Sequence, residues 1–263
     1  MDEILTDALG VLGRFDLSGR TALVIGGSKG LGQAMALALA GAGANVSVAA
    51  RGEAAVLATV EMIRKIGRDS RPVVLDATNE EAVKEAARSL RDWNDGIDIL
   101  VNSQGMAYLQ DSTDFDMDSW KRVMATNLES VVLCCKYFGR GMIEKGHGKI
   151  INVSSVRAFQ GRARDLAYAP SKGAINQLTR SLAIEWGSKG INVNGIAPVF
   201  TRTEINEKLL GDPKLVDWIV GRIPMGRLGM IADVMGPVVF LASHASDFVN
   251  GHILPVDGGW LSA

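Results

Sequence analysis

The run Thr21-Ala22-Leu23-Val24-Ile25 leads straight into Gly26-Gly27-Ser28-Lys29-Gly30-Leu31-Gly32, and a helical pattern follows from Gln33 to about Ala42. A short apolar, β-rich run of this kind reads as a buried parallel strand. Glycines let the backbone pass close to phosphates, and a helix start offers free N–H groups at the positive end of its dipole. Strand, glycine turn and helix in this order predict the first βα unit of a doubly wound sheet. They make Gly26, Ser28, Lys29, Gly30, Leu31 and Gly32 candidates for holding a nucleotide pyrophosphate. A tight βα turn alone would also need glycine; the position on the first strand favours the nucleotide.

Apolar runs alternate with helical patterns along all 263 residues, the sign of a parallel sheet covered on both faces. With 47% hydrophobic residues and a mean hydropathy of +0.14, the chain can bury a full core as one α/β domain. Residues 1–14 are expected to form an arm or short helix over the edge of a domain spanning 15–263. A net charge of −1 gives no footprint for nucleic acid. Cys134 and Cys135 are adjacent, and three histidines with no Cys-x-x-Cys suggest neither a disulfide framework nor a metal site. Met1-Asp2-Glu3 is acidic where a signal peptide would be basic, and no apolar run reaches membrane length, so no membrane partner and a cytoplasmic location are expected.

Tyr168 and Lys172 are four residues apart in a segment, Ala167–Trp186, that reads as a helix, so they project from one face. A free phenol, with a pKa of about 10, is too weak a base for neutral pH. An ammonium about 4 Å away, at an effective dielectric of roughly 20, would favour phenolate by on the order of 4 kcal/mol before desolvation. That corresponds to up to about three pKa units, which brings the group into working range. Ser155, thirteen residues upstream at the end of Lys149-Ile150-Ile151-Asn152-Val153, can hydrogen-bond the same substrate oxygen. Taken alone, such a pair also fits a solvated helix face, and such a serine also fits a cap.

The glycine spacing and the Ser/Tyr/Lys set together make the chain similar to the short-chain dehydrogenase/reductase family, from about Leu17 to Gly259. The resemblance implies a Rossmann fold of about seven parallel strands with helices on both faces. It further implies hydride transfer between a nicotinamide and a carbinol carbon. Tyr168 would exchange the proton, Lys172 would lower its pKa and hold the nicotinamide ribose, and Ser155 would position the oxygen. Asn127, in Ala125-Thr126-Asn127-Leu128, would distort its helix and hold a water leading to the lysine. Asp76-Ala77 resembles the pair that borders adenine, Asn102 opens the segment after the fourth strand, and Pro198 closes the sixth. Thr203 falls where the family touches the nicotinamide carboxamide or the phosphates, and His252 to Gly259 resembles the final strand and its close. Ile25 replaces the family's threonine, Ser103 and Gln104 are departures within the family's Asn-Asn-Ala-Gly segment, which here reads Asn102-Ser103-Gln104-Gly105, and Val199 stands where a glycine is usual. A β-branched residue does not readily adopt a positive φ, so the Val199 turn has either ordinary dihedrals or a different path. Dimers or tetramers through the helices at about Asp116–Lys145 and Ala167–Trp186 and the C-terminal strand are also implied.

The second strand, Asn45–Ala50, ends without the acid that would bind a ribose 2′-hydroxyl, and Arg51 follows. Its fork can grip a 2′-phosphate, and Lys29 is the other position from which the family supplies a positive charge. NADP(H) is therefore favoured, while Glu53 keeps NAD(H) admissible. Arg157, Arg162 and Arg164 lie in the loop between Ser155 and Tyr168 and suit an anionic or polyol substrate. Gly161-Arg162, Pro198 to Asn206 and Ala245 to His252 resemble the gluconate 5-dehydrogenase-like branch, which interconverts sugar acids and their keto forms. A segment at about 200–225, with Trp218, Ile219 and Val220, is either a lid over the site or a helix burying one face. The alternatives are a 3-oxoacyl carrier-protein reductase and a non-catalytic NADP-binding regulator.

Overall fold

The computed structural model describes residues 2–203, 207 and 209–263. The strands are β1 (Thr21–Ile25), β2 (Asn45–Ala50), β3 (Pro72–Val74), β4 (Ile99–Asn102), β5 (Gly148–Val153), β6 (Ile191–Pro198) and β7 (Ile253–Val256). They form one sheet in the order β3-β2-β1-β4-β5-β6-β7, parallel at every pairing. The direction of winding reverses between β1 and β4, and in an open sheet of this kind ligands bind beyond the strand C-termini at that switch.

In chain order the helices are α1 (Asp2–Leu9), α2 (Gly30–Gly41), α3 (Glu53–Lys65), α4 (Glu80–Ser89), α5 (Met117–Met124), α6 (Ser130–Lys145), α7 (Tyr168–Trp186), α8 (Pro213–Gly221) and α9 (Met235–Ala242). Side chains alternate along β1: Ala22 and Val24 pack with α2, α3 and α9, while Leu23 and Ile25 pack with α4, α6 and α7. All five β1 residues are buried. Fully burying one Leu or Ile is worth about 1.5–3 kcal/mol, so this alternation of a two-sided strand strongly specifies register.

The helix expected over Asp116–Lys145 is interrupted. Asp116 caps α5 by accepting from the Ser119 N–H at 2.8 Å, and a π-helical turn at Ala125–Glu129 then separates α5 from α6. At the N-terminal end, a 3₁₀ turn at Val11–Phe15 follows α1. It is held by Arg14 donating to the His244 carbonyl at 2.7 Å and by the Phe15 and Phe240 rings, 6.3 Å apart. Ile4, Leu5, Leu9 and Leu12 are exposed.

Among the described residues, no helix is long and apolar enough to cross a membrane. Nor, among them, do three His, Cys, Asp or Glu side chains gather to hold a metal ion. Cys134 and Cys135 are buried in α6, and burial pushes the Cys135 thiol up to about 12 and Cys134 higher still.

Candidate active site

A cavity of about 710 Å³ opens beyond the C-terminal ends of β1, β2, β5 and β6. One half is walled by the glycine turn, with Ser28, Lys29 and Leu31, and by Arg51, Asp76 and Ala77. Gly26 has a φ of +75°, and a Cβ there would stand 2.8 Å from the Gln104 amide nitrogen. A Cβ on Gly32 would collide with the Gly26 carbonyl. Backbone therefore passes close on both sides of this turn, as a pyrophosphate cradle at the start of α2 requires. The Thr78 N–H, donating at 3.0 Å, holds the Asp76 carboxyl below its ordinary range. Ile25 fills core space where a threonine hydroxyl would have braced the turn.

The other half of the cavity carries Ser155, Tyr168 and Lys172, together with Pro198, Arg157 and Arg162, while Thr203 lies beside Gly30 of the glycine turn. Buried hydrogen bonds fix these groups. Asn102 donates to the Asn152 amide oxygen at 2.9 Å, and Asn152 donates to the Thr179 hydroxyl at 3.0 Å. This chain ties α7 to β4 and β5, so Tyr168 and Lys172 are registered against Ser155 at the end of β5. Asn102 thus turns its side chain into the sheet and is not among the cavity-lining residues. Asn127, at the π turn, accepts from the Met106 N–H at 2.8 Å and donates to the Met106 carbonyl and the Ser171 hydroxyl. A Cβ on Gly105 would stand 3.5 Å from Asn127 Oδ1 and 3.6 Å from Lys172 Nζ, so the two groups face one small space.

Electrostatics here differ from the expectation drawn from spacing. Lys172 is buried and donates to the Val153 carbonyl at 2.7 Å, with its Nζ 5.8 Å from the Tyr168 ring centre. Burial lowers its pKa to about 8. The Tyr168 phenol is shifted upward, not downward. Desolvation is the main cause, and a hydrogen bond from Ser155 opposes it. Lys172, whose ammonium bonds to backbone, is not a leading cause of the shift.

The three loop arginines separate. Arg157 and Arg162 line the cavity, whereas Arg164 has a φ of +66° and pairs with Asp111 at 3.0 Å in an exposed position outside the cavity wall. Val199 takes no positive φ, lies buried, and donates its N–H to the Val256 carbonyl at 3.2 Å. The turn therefore has ordinary dihedrals and ladders onto β7. In the segment expected as a lid, Ile219 is fully buried with Val156, Val199, Leu210, Ile223 and Trp260, so α8 does bury one face. Glu204, Ile205, Asn206 and Lys208 lie outside the described residues.

The family described as enoyl-(acyl carrier protein) reductase matches residues 26–261. A 2-dehydro-3-deoxy-D-gluconate 5-dehydrogenase of Bacillus subtilis is 44% identical over 94% of this chain and 97% of its own length. The chain belongs to the short-chain dehydrogenase/reductase family. A gluconate 5-dehydrogenase of Gluconobacter oxydans is 36% identical over 93% of this chain and 96% of that protein. A gluconate 5-dehydrogenase of Burkholderia cenocepacia, solved in complex with NADP and tartrate, superposes with a TM-score of 0.93. It is 38% identical over 96% of this chain and 99% of that one.

Within this short-chain dehydrogenase/reductase, several neighbours of the site carry no signal in a single sequence. Phe200 and Trp260 flank Arg157, and Trp260 Nε1 donates to Gln160 Oε1 at 2.8 Å across one hundred residues. An aromatic near the chain's last strand reads as core; only the fold carries it to the loop after β5.

Proposed function

We propose that the protein is an NADP(H)-dependent oxidoreductase interconverting a secondary alcohol and a ketone on a small keto-sugar acid or anionic polyol. One observation carries the reading. Ser155, Tyr168 and Lys172 open into the same cavity as Lys29 and Arg51 in one half and the buried guanidinium of Arg157 in the other. The family membership and the sugar-acid relatives point the same way.

The residues fit the dinucleotide: the glycine turn admits close backbone approach, Arg51 and Lys29 offer charge to a 2′-phosphate, and β2 ends without a competing acid. When bound, the cofactor supplies or accepts the hydride. Tyr168 gives its phenolic proton to the carbonyl oxygen in reduction and takes it back in oxidation. Ser155 donates to the same oxygen and holds it. Lys172 supplies positive charge behind the phenol, and Asn127 shapes the space between itself and the lysine through which a proton can pass to solvent.

The groove on α6 and α7 lined by Val132, Ile143, Leu178, Leu182 and Trp186 supports assembly as a dimer or tetramer, which light scattering would test. Residues 15–263 would form the catalytic unit, with 1–14 as an arm.

The test of function is oxidation of NADPH and of NADH against keto-sugar acids, phosphorylated ketones, neutral diketones and acyl thioesters. Strong NADPH-dependent turnover on a keto acid supports the reading. Turnover confined to acyl thioesters would assign the protein to the carrier-protein reductases instead, and tight cofactor binding without turnover would make it a regulator.

A further inference from the structure

Arg157 differs from the other two arginines of its loop in its ion pairing, since Arg162 pairs with Asp165 and Arg164 with Asp111. It is 8% exposed, and its Nε, like that of Arg162, is buried with no hydrogen-bond partner. Its Nη1 makes one long contact, 3.5 Å to the Gly161 carbonyl. Among the described residues it forms no salt bridge. Asp165, the acid close enough to act on it electrostatically, is already engaged by Arg162 at 3.0 Å and by the Ala169 N–H at 3.1 Å.

The guanidinium instead sits against aromatic rings, 5.2 Å from the centre of Phe200 and 5.5 Å from that of Trp260. Trp260 is itself fixed by its bond to Gln160 and by Arg222 and Trp218, 5.0 Å and 6.1 Å from its ring. Such contacts fix a guanidinium while leaving N–H donors unused, and a buried donor without an acceptor calls for one. A planar fork matches a planar carboxylate in two parallel hydrogen bonds.

The acceptor is not the 2′-phosphate that Arg51 would hold. Arg51 follows β2 and Arg157 follows β5, three strands apart in the sheet, or about 14 Å at ~4.8 Å per strand. Arg157 shares its half of the cavity with Ser155 and Tyr168.

We propose that Arg157 is the specificity-determining residue that binds the substrate carboxylate, and that Trp260 is the positioning residue that holds it. The inference rests on the keto-sugar acid reading above and narrows it to one residue. The charge of Arg162 is balanced by Asp165 and that of Arg164 by Asp111, which leaves Arg157 as the loop arginine without an ion pair among the described residues.

The test uses the full chain loaded with NADP. Binding of D-gluconate is compared by calorimetry with binding of D-glucitol, its neutral counterpart. In parallel, kcat/KM with NADPH is measured for 5-keto-D-gluconate and for a neutral ketose. Arg157→Gln is expected to lower the acid-over-neutral preference at least about 10²-fold, mostly through KM, and Arg157→Lys, which keeps charge but loses the fork, about 10-fold. Trp260→Leu should raise KM for the keto acid about 10-fold with kcat within about threefold, and Trp260→Phe should restore most of the loss. A wild-type enzyme that reduces keto acids, with Arg157→Gln keeping its preference for the anion, overturns this inference and leaves the function standing. A wild-type enzyme with no keto-acid turnover and no preference for gluconate overturns both. Should Arg157→Gln not fold, Arg157→Lys and Trp260→Leu decide: unchanged keto-acid KM in both sinks the proposal.

Discussion

Lys172 directs its ammonium to the Val153 carbonyl at 2.7 Å while standing 5.8 Å from the centre of the Tyr168 ring. In this arrangement the lysine anchors α7 to β5 and keeps its charge near the phenol without bonding to it. Tyr168 therefore rests as a neutral acid, its pKa raised chiefly by burial. A neutral phenol is the form that the proposed reduction requires of Tyr168.

Replacing Tyr168 with Phe removes the group that transfers the proton in this reading and keeps the ring. Turnover on the true substrate should fall at least about 10²-fold while NADPH binding, followed by fluorescence titration, stays near wild type. Near-normal turnover would end the assignment of Tyr168 as general acid.

The raised phenol also sets the pH dependence in each direction. Reduction uses the protonated form, which persists through neutrality, so its kcat/KM should be flat there and decline only in alkali. Oxidation uses the phenolate, so its kcat/KM should climb about tenfold per pH unit below the phenol's pKa. Profiles of both directions check this; an oxidation rate independent of pH would contradict it.

The buried lysine has a signature in stability. Its folded-state pKa of about 8 lies below the ordinary 10.5, so the unfolded chain binds more protons between those values. Charging a buried Lys172 is thus a cost present below pH 8 that is relieved as pH rises toward 10.5. The span corresponds to on the order of 3 kcal/mol. Denaturant unfolding of wild type and Lys172→Met across this window should show the wild type gaining on the variant as pH rises. Parallel curves would mean that the ammonium is solvated.

Gly105 faces the space between Asn127 and Lys172. A methyl there would make ordinary contacts at 3.5 and 3.6 Å, so Gly105→Ala should fold with stability within about 1 kcal/mol of wild type. Turnover should fall on the order of 10-fold, because the methyl occupies the route between the two groups. Full activity with an unchanged solvent isotope effect would show that no proton passes there.

Arg51→Asp should invert the cofactor preference. An acid at the end of β2 accepts from a ribose 2′-hydroxyl and repels a 2′-phosphate, so kcat/KM with NADPH should drop at least about 10-fold relative to NADH. An unaltered ratio would leave Lys29 as the residue that decides.

The sheet, the glycine turn and the one-turn spacing of Tyr168 and Lys172 were legible because each is a local pattern: alternation along β1, backbone clearance at Gly26, helical phase along α7. The electrostatics were not. Burial of the Tyr168 phenol and the bond from Lys172 to a carbonyl nineteen residues upstream depend on how α7 lies against β5. Three arginines within eight residues looked equivalent, and only the fold pairs Arg164 with Asp111 and leaves Arg157, among the described residues, without an ion pair against Phe200 and Trp260. The family resemblance makes Asn102 a cofactor contact through the segment after the fourth strand; its pairing with Asn152 turns the side chain inward.

The π-helical turn at Ala125–Glu129 gives one more result. Its wider winding accommodates one residue beyond what a continuous α-helix would use, so α6 leaves it rotated by about 100° relative to an uninterrupted continuation of α5. The placement of Asn127 is therefore encoded in residue count as much as in residue type. Deleting a single residue between Thr126 and Glu129 would let the helix run on regularly with α6 still in phase with its bed on the sheet, while Asn127 would lose the bulge that positions it. The deletion would therefore spare the fold and strike the site, although the segment looks like ordinary helix.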